Sequence, residues 1–193
     1  FTIKDIPGEN RFGVIPNFAE QPVFADEITR FRGEAVAAIA GEAKCMAILD
    51  LDNFPVLWTE LPAIMTLSQA LADGAPQLHE GRAQNIIRAC GLVQRGPLDD
   101  EFSAADVIAE GDFSTSYVEH AYIEPEAGYA VRVGDRLEIY AGTQAPYMDR
   151  DDMARIMGGS VEDIRIVPIT AGGGFGSKLD ISVQPYIALA AWY

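Results

Sequence analysis

Ile166-Val167-Pro168-Ile169-Thr170-Ala171-Gly172-Gly173-Gly174-Phe175-Gly176-Ser177-Lys178 is the stretch on which the reading of the chain turns. Ile164, Ile166, Val167 and Ile169 predict a strand that stops at three consecutive glycines. Beyond the loop, Val183, Tyr186, Ile187 and Ala190 recur at helical spacing, with Pro185 acceptable only in a first turn. The predicted order is strand, glycine loop, helix. Such a loop reaches backbone angles closed to other residues, and its N–H groups can approach a ligand with no side chain in the way. A following helix start adds a positive dipole end, so the segment suits an anion or an oxo group. A flexible turn is the plainer alternative.

Two nucleotide motifs fail at this loop. A Walker loop needs Ser or Thr after its lysine, and Lys178 is followed by Leu179. A Gly-x-Gly-x-x-Gly fingerprint begun at Gly172 and Gly174 meets Ser177 in place of its third glycine.

Working outward, Asp149-Arg150-Asp151-Asp152 ahead of Met153, Ile156 and Met157 predicts a helix that starts at the acidic run and closes at Gly158-Gly159. Residues 130–133 and 137–140 alternate around Gly134-Asp135, the pattern of a β-hairpin. Nearer the start, 23–25, 34–40 and 56–62 read as strands, with a helix from Cys45 to Leu51 between them, so a small α/β unit is expected. Residues 68–72 add a helical turn, and 105–113 open a second, strand-rich unit. Between these, 73–100 scatters Gly74, Pro76, Gly81, Gly91, Gly96 and Pro97 among polar residues and reads as a linker.

Composition narrows the function classes. The chain of 193 residues can bury one good core or two small ones, and 22% charged residues is ordinary for a globular protein. A formal charge of −15 without clustered Lys and Arg argues against nucleic acid or an anionic membrane as partner. Cys45 and Cys90 lie far apart and cannot by themselves build a zinc or iron–sulfur site, which leaves a reduced, cytoplasmic protein as the expectation. No apolar run approaches the length of a membrane span. Phe1 in place of Met, and the apolar ending Ala188-Leu189-Ala190-Ala191-Trp192-Tyr193, read as the cut ends of a larger polypeptide.

Gly172-Gly173-Gly174-Phe175-Gly176-Ser177-Lys178 closely resembles the Gly-Gly-Gly-Phe-Gly-Gly-Lys loop of the molybdenum hydroxylases, the xanthine dehydrogenase and aldehyde oxidase family. Four further blocks agree in order. Lys4-Asp5-Ile6-Pro7-Gly8-Glu9-Asn10 is similar to the family's Asp-Ile-Pro-Gly-x-Asn turn, and Thr59-Glu60-Leu61-Pro62-Ala63 to its Glu-x-Leu-Pro-Ala strand. Val118-Glu119-His120-Ala121-Tyr122-Ile123-Glu124-Pro125 resembles the Gln-Glu-His segment, and Thr143-Gln144-Ala145-Pro146 the Thr-Gln-x-Pro strand end.

The resemblance implies an α/β (α+β) chain: a partial α/β hammerhead domain over 1–72, lacking its first strands, a linker over 73–100, and the start of a molybdenum-cofactor-binding domain over 101–193. It implies molybdopterin as cofactor, in a dinucleotide form, bound at Gly174, Phe175, Gly176 and Gln144. The N–H groups of Phe175 and Gly176 are expected to donate to it, and the Gln144 amide to bond the pterin or a loop carbonyl, or else to cap the strand. Phe175 and Leu179 are expected to border the substrate pocket, unless Phe175 only fills core. The family's base is a glutamate from a later segment, so no catalytic residue is expected here and the chain alone should be inactive. Iron–sulfur clusters and FAD would sit on partner subunits or domains, the other partners being the rest of the molybdenum subunit and a small-molecule substrate.

Two positions depart from the pattern. Val118 stands where Gln often bonds the apical oxo ligand, and Leu179 where purine-oxidising members carry Glu. Leu179 cannot orient a purine by hydrogen bonds, so an aldehyde or another ring is the expected substrate. Glu119, His120, Glu124 and Glu126 have metal-ligand chemistry, but Pro125 breaks any shared helical face. The two carboxylates at 119 and 124 are expected to satisfy nearby donors instead.

Overall fold

The strand and the helix expected on either side of the glycine loop are both present. The computed structural model describes residues 1–15, 18–87 and 95–193. Its elements run α1 (Ala43–Met46), α2 (Leu67–Ala70), α3 (Leu98–Ala104), β1 (Gly128–Val133), β2 (Arg136–Ala141), α4 (Pro146–Met157), β3 (Ile164–Pro168) and α5 (Gln184–Trp192), with short 3-10 turns between. The mixed α/β class is as expected. These residues divide into two compact units, one of Phe1–Asp50 with Val118–Tyr193, the other Leu51–Tyr117.

In the first unit, β2 pairs antiparallel with β1 through the tight turn at Gly134-Asp135 and parallel with β3, which it reaches through α4. Leu137, Ile139 and the buried Ala141 alternate along one face of β2, and Leu137 and Ile139 join a core with Met153 and Ile156 of α4, Ile164 of β3, and Ala188 and Leu189 of α5. Glu138 and Tyr140 occupy the opposite face, where the Tyr140 hydroxyl and the Arg136 and Arg165 guanidiniums donate to the Glu138 carboxylate.

Helix α4 starts three residues earlier than the acidic run suggests. Pro146 occupies its first turn, where a missing N–H costs nothing, and Gly158 ends it with a left-handed φ of 66°. Its last carbonyls are met from the chain start. The N–H groups of Gly8 and Glu9 donate to Ile156 and Arg155 at 2.9 and 3.0 Å. A Cβ on Gly8 would fall 2.0 Å from the Arg155 carbonyl oxygen, so this docking requires glycine.

The strands expected at 23–25, 34–40 and 56–62 do not form, and the strand-rich unit expected from 105 has no strand at 105–113. Strand propensity is realised only where a neighbour completes the ladder. Val23 and Phe24 are fully buried, yet the Asn10 side chain takes the place of a partner strand, accepting from the Phe24 N–H at 3.0 Å and donating to its carbonyl at 2.7 Å. Ala38 exchanges two bonds with Phe1, its N–H donating to the Phe1 carbonyl and its own carbonyl accepting from the Phe1 ammonium, and no ladder continues from them. Leu57 and Phe113 stay almost wholly exposed, so their runs have no packed face to organise them. The 45–51 helix shrinks to the four residues of α1, which buries no side chain and is too short to persist on propensity alone.

Within 73–100 the Asn85 side chain gathers local backbone, donating to the carbonyls of Ala70 and Pro76 at 3.0 Å and accepting from the Leu78 N–H. Cys45 is a free, exposed thiol; Cys90 lies outside the described residues.

Candidate functional site

The glycine loop runs from the end of β3 to a 3-10 turn at Ser177–Leu179, and two side chains from elsewhere in the first unit grip its flanks. Glu124 takes the entry side, its Oε2 accepting the Gly172 N–H at 2.7 Å and the Lys178 ammonium at 2.8 Å. Gln144, in the turn between β2 and α4, takes the exit side. Its Oε1 accepts the N–H of Gly176 at 3.0 Å and of Lys178 at 3.3 Å, while its own backbone N–H donates to the Lys178 carbonyl at 2.8 Å.

The centre of the loop is left open. Among the described residues no acceptor bonds the N–H of Gly173, Gly174 or Phe175. Gly174 is itself buried, and a buried backbone donor without a partner is rare enough to ask for a ligand. A Cβ at Gly174 would come 2.4 Å from Gln144 Oε1 and one at Gly172 2.6 Å from Glu124 Cβ, so neither position admits a side chain without movement. Phe175 holds a left-handed φ of 52° despite its side chain, and its ring lies beside Gly173 at 73% exposure. Core filling is therefore not its role. A run of free N–H groups on a side-chain-free backbone fits an electron-rich, oxo- or sulfur-bearing ligand.

This arrangement corrects two expectations. The Gly176 N–H cannot be a free donor to a ligand, because Gln144 already accepts it. Gln144 does not bond a loop carbonyl through its side chain either; it accepts from loop amides, and only Nε2 remains without a partner among the described residues. Leu179 ends the 3-10 turn that follows the loop and is partly exposed, and Val118 is largely exposed.

Charge at the site is concentrated in Glu124 and Lys178, with the neutral Tyr122 phenol beside them. The Lys178 ammonium and the Gly172 N–H hold the Glu124 carboxyl below the usual carboxylate range. Lys178 is buried, with Nζ 4.6 Å from the centroid of the Tyr122 ring. The Tyr122 hydroxyl donates to Glu126 at 2.7 Å, which pushes its own pKa up. In the first turn of α4, Asp149 is almost fully buried and its Oδ2 accepts from Gln184 at 3.2 Å. Burial raises its pKa to about 6.

Residues 78–193, which include the whole loop and both gripping side chains, match the model of the molybdopterin cofactor-binding domain. The chain belongs to that family. This molybdopterin-binding chain is 38% identical over 191 residues to a probable xanthine dehydrogenase subunit of Bacillus subtilis (strain 168), covering 98% of itself and 25% of that protein. It is 33% identical over 189 residues to the nicotinate dehydrogenase large molybdopterin subunit of Eubacterium barkeri, covering 97% of itself and 43% of that subunit. Among solved structures it is similar to the aldehyde oxidoreductase of Desulfovibrio gigas, with a TM-score of 0.85 at 27% identity over its whole length and 22% of that chain. These matches place it among the molybdenum hydroxylases. The chain spans between a quarter and under half of the length of these two curated relatives. No helix among the described residues is long and apolar enough to cross a membrane.

The loop itself was visible in the sequence; the grip on it was not. Glu124 and Lys178 are 54 residues apart, and only the fold makes them partners. Glycine spacing did carry one signal. Gly142 lies where a Cβ would approach Glu124 Oε1 to 3.0 Å and Lys178 Nζ to 3.2 Å, room that a larger residue would take from the pair.

Proposed function

We propose that the chain forms part of the molybdopterin-binding portion of a hydroxylase that oxidises an aldehyde or N-heteroaromatic C–H bond with water as the oxygen source. Electrons pass to iron–sulfur centres and FAD on partner subunits or domains of a cytoplasmic enzyme. The observation that carries the reading is the row of unbonded N–H groups at Gly173, Gly174 and Phe175 on a loop gripped from both flanks. The cofactor, in a dinucleotide form, would supply the redox centre of the reaction.

The chain's own residues bind and orient. The N–H groups of Gly174 and Phe175 donate to electron-rich atoms of the cofactor, and Gln144 Nε2 is the side-chain donor left for it. Gly176 serves through its left-handed φ of 100°, which turns the chain so that Gln144 can hold it. Phe175 offers an exposed aromatic face for a flat or apolar substrate, and Leu179 gives that substrate no hydrogen bond. An aldehyde or a ring other than a purine is thereby favoured.

The test is the content of molybdenum, pterin, iron and flavin in the purified protein together with any chains that accompany it. The proposal expects molybdenum and pterin, with iron and flavin on the accompanying chains; a bound nucleotide and no pterin would overturn it. A second reading, an assembly module that docks on partner chains and turns nothing over, draws on the exposed Leu57, Trp58, Val107 and Phe113 of Leu51–Tyr117. It expects accompanying chains with neither molybdenum nor pterin.

A further inference from the structure

We infer that Lys178 and Glu124 are positioning residues whose partly buried ion pair sets the amides at the centre of the glycine loop before any ligand arrives. The inference rests on the proposed function for the identity of that ligand. The lysine side chain is only 2% exposed, and a cation so placed is tolerated only where its partners meet it fully. They do. Nζ reaches Glu124 Oε2 at 2.8 Å, approaches the Glu124 carbonyl at 3.5 Å and faces the Tyr122 ring. Its short polar contacts are both to Glu124 and its remaining neighbour is an aromatic face, so the ammonium is turned toward the protein.

Its action is therefore indirect. Glu124 Oε2 accepts from Gly172 and from Lys178 at once, so one carboxylate oxygen ties the two ends of the loop to a single point. The backbone of Lys178 is held a second time by Gln144. Only the N–H groups of 173–175 lie unbonded between these ties, because Gln144 holds Gly176 and the Gly174 carbonyl accepts the Ser177 N–H at 2.8 Å. The partner segment is itself shaped for the purpose. Ala121, like Phe175, adopts a left-handed φ of 52°, a conformation that costs a side-chain-bearing residue free energy.

The test is amide hydrogen exchange over 172–178, read beside the amides of β2 in the purified protein with its accompanying chains, whatever its cofactor content. Lys178→Met removes the cation and keeps the stem; Glu124→Gln keeps an acceptor for Gly172 and loses the charge; Lys178→Arg restores a cation. Lys178→Met is expected to speed exchange in the loop about tenfold with β2 changed by less than about twofold, Glu124→Gln to have a smaller effect of the same kind, and Lys178→Arg to recover most of the protection. Loop exchange unchanged in both Lys178→Met and Glu124→Gln would overturn the inference. So would β2 amides that accelerate as much as the loop, which marks a residue holding the whole unit. Because Glu124→Gln is nearly isosteric, the question stays answerable if Lys178→Met does not fold. A protein that never holds pterin refutes the proposed function, and the exchange data still decide the role of the pair.

Discussion

At its flanks the glycine loop gives up its amides to the protein: Gly172 to Glu124, Gly176 and Lys178 to Gln144. From Gly173 to Phe175 none is bonded among the described residues. One stretch of seven residues thus combines fixed ends with an unsatisfied middle. Fixed ends lower the ordering cost of binding, and an unsatisfied middle leaves donors whose full value appears only when an acceptor enters. A turn that served only to connect β3 with α5 would need neither.

Substitutions at the two parts should therefore behave differently. The largest effect is expected at the entry flank. Gly172→Ala sets a methyl against Glu124 Cβ at 2.6 Å and its N–H at 3.1 Å, and should destabilise the first unit by about 3 kcal/mol in denaturant titrations. A cost below about 0.5 kcal/mol would mean that the flank is not closely packed. At the exit flank, Gln144→Leu strands the N–H groups of Gly176 and Lys178 and should cost about 2 kcal/mol by the same measurement.

A smaller, pH-dependent effect lies beneath the exit flank. The folded-state pKa of Asp149 is raised from 3.8 to about 6, so the folded protein holds a proton there that the unfolded chain has released. Its contribution to stability is complete below the unfolded value and lost as pH rises through about 6. Asp149→Asn cannot ionise. The variant should gain on the parent between about pH 4 and pH 7, by about 1.5 kcal/mol once partial screening by solvent is allowed for, visible as a difference in Tm against pH. A constant difference would mean that Asp149 titrates normally. At the centre of the loop, Phe175→Ala should change stability least, by less than about 0.5 kcal/mol, because the ring is mostly exposed and Ala has the same difficulty at positive φ. A larger loss would show that the ring packs against the loop more than its exposure suggests.

Legibility in the sequence followed the range of the interactions. The hairpin at Gly134-Asp135, the strand before the loop, the helix begun near Pro185 and the Gly158 stop all depend on local periodicity and on residues with restricted backbones, and each forms where the pattern predicts it. The expected strands at 23–25 and 56–62 failed because strand formation depends on a neighbour that the local pattern does not name. Asn10, fourteen residues before Phe24, fills that place with a side chain. The site divided in the same way. Gly172, Gly173, Gly174, Phe175 and Gly176 advertise an open backbone, whereas the local pattern does not show that the Gly176 N–H is taken, because its acceptor lies 32 residues earlier. Lys178 looked like part of a loop motif; its burial against Glu124 and Tyr122 was a property of the fold alone.

The most direct measurement is the molybdenum and pterin bound per chain in the parent protein, Gly172→Ala and Phe175→Ala, each purified with its accompanying chains and checked for folding. A backbone cradle that depends on gripped flanks gives close to full occupancy in the parent and in Phe175→Ala, and a drop of about tenfold or more in Gly172→Ala. Equal occupancy in folded Gly172→Ala and the parent, or a parent that carries no pterin at all, would contradict it.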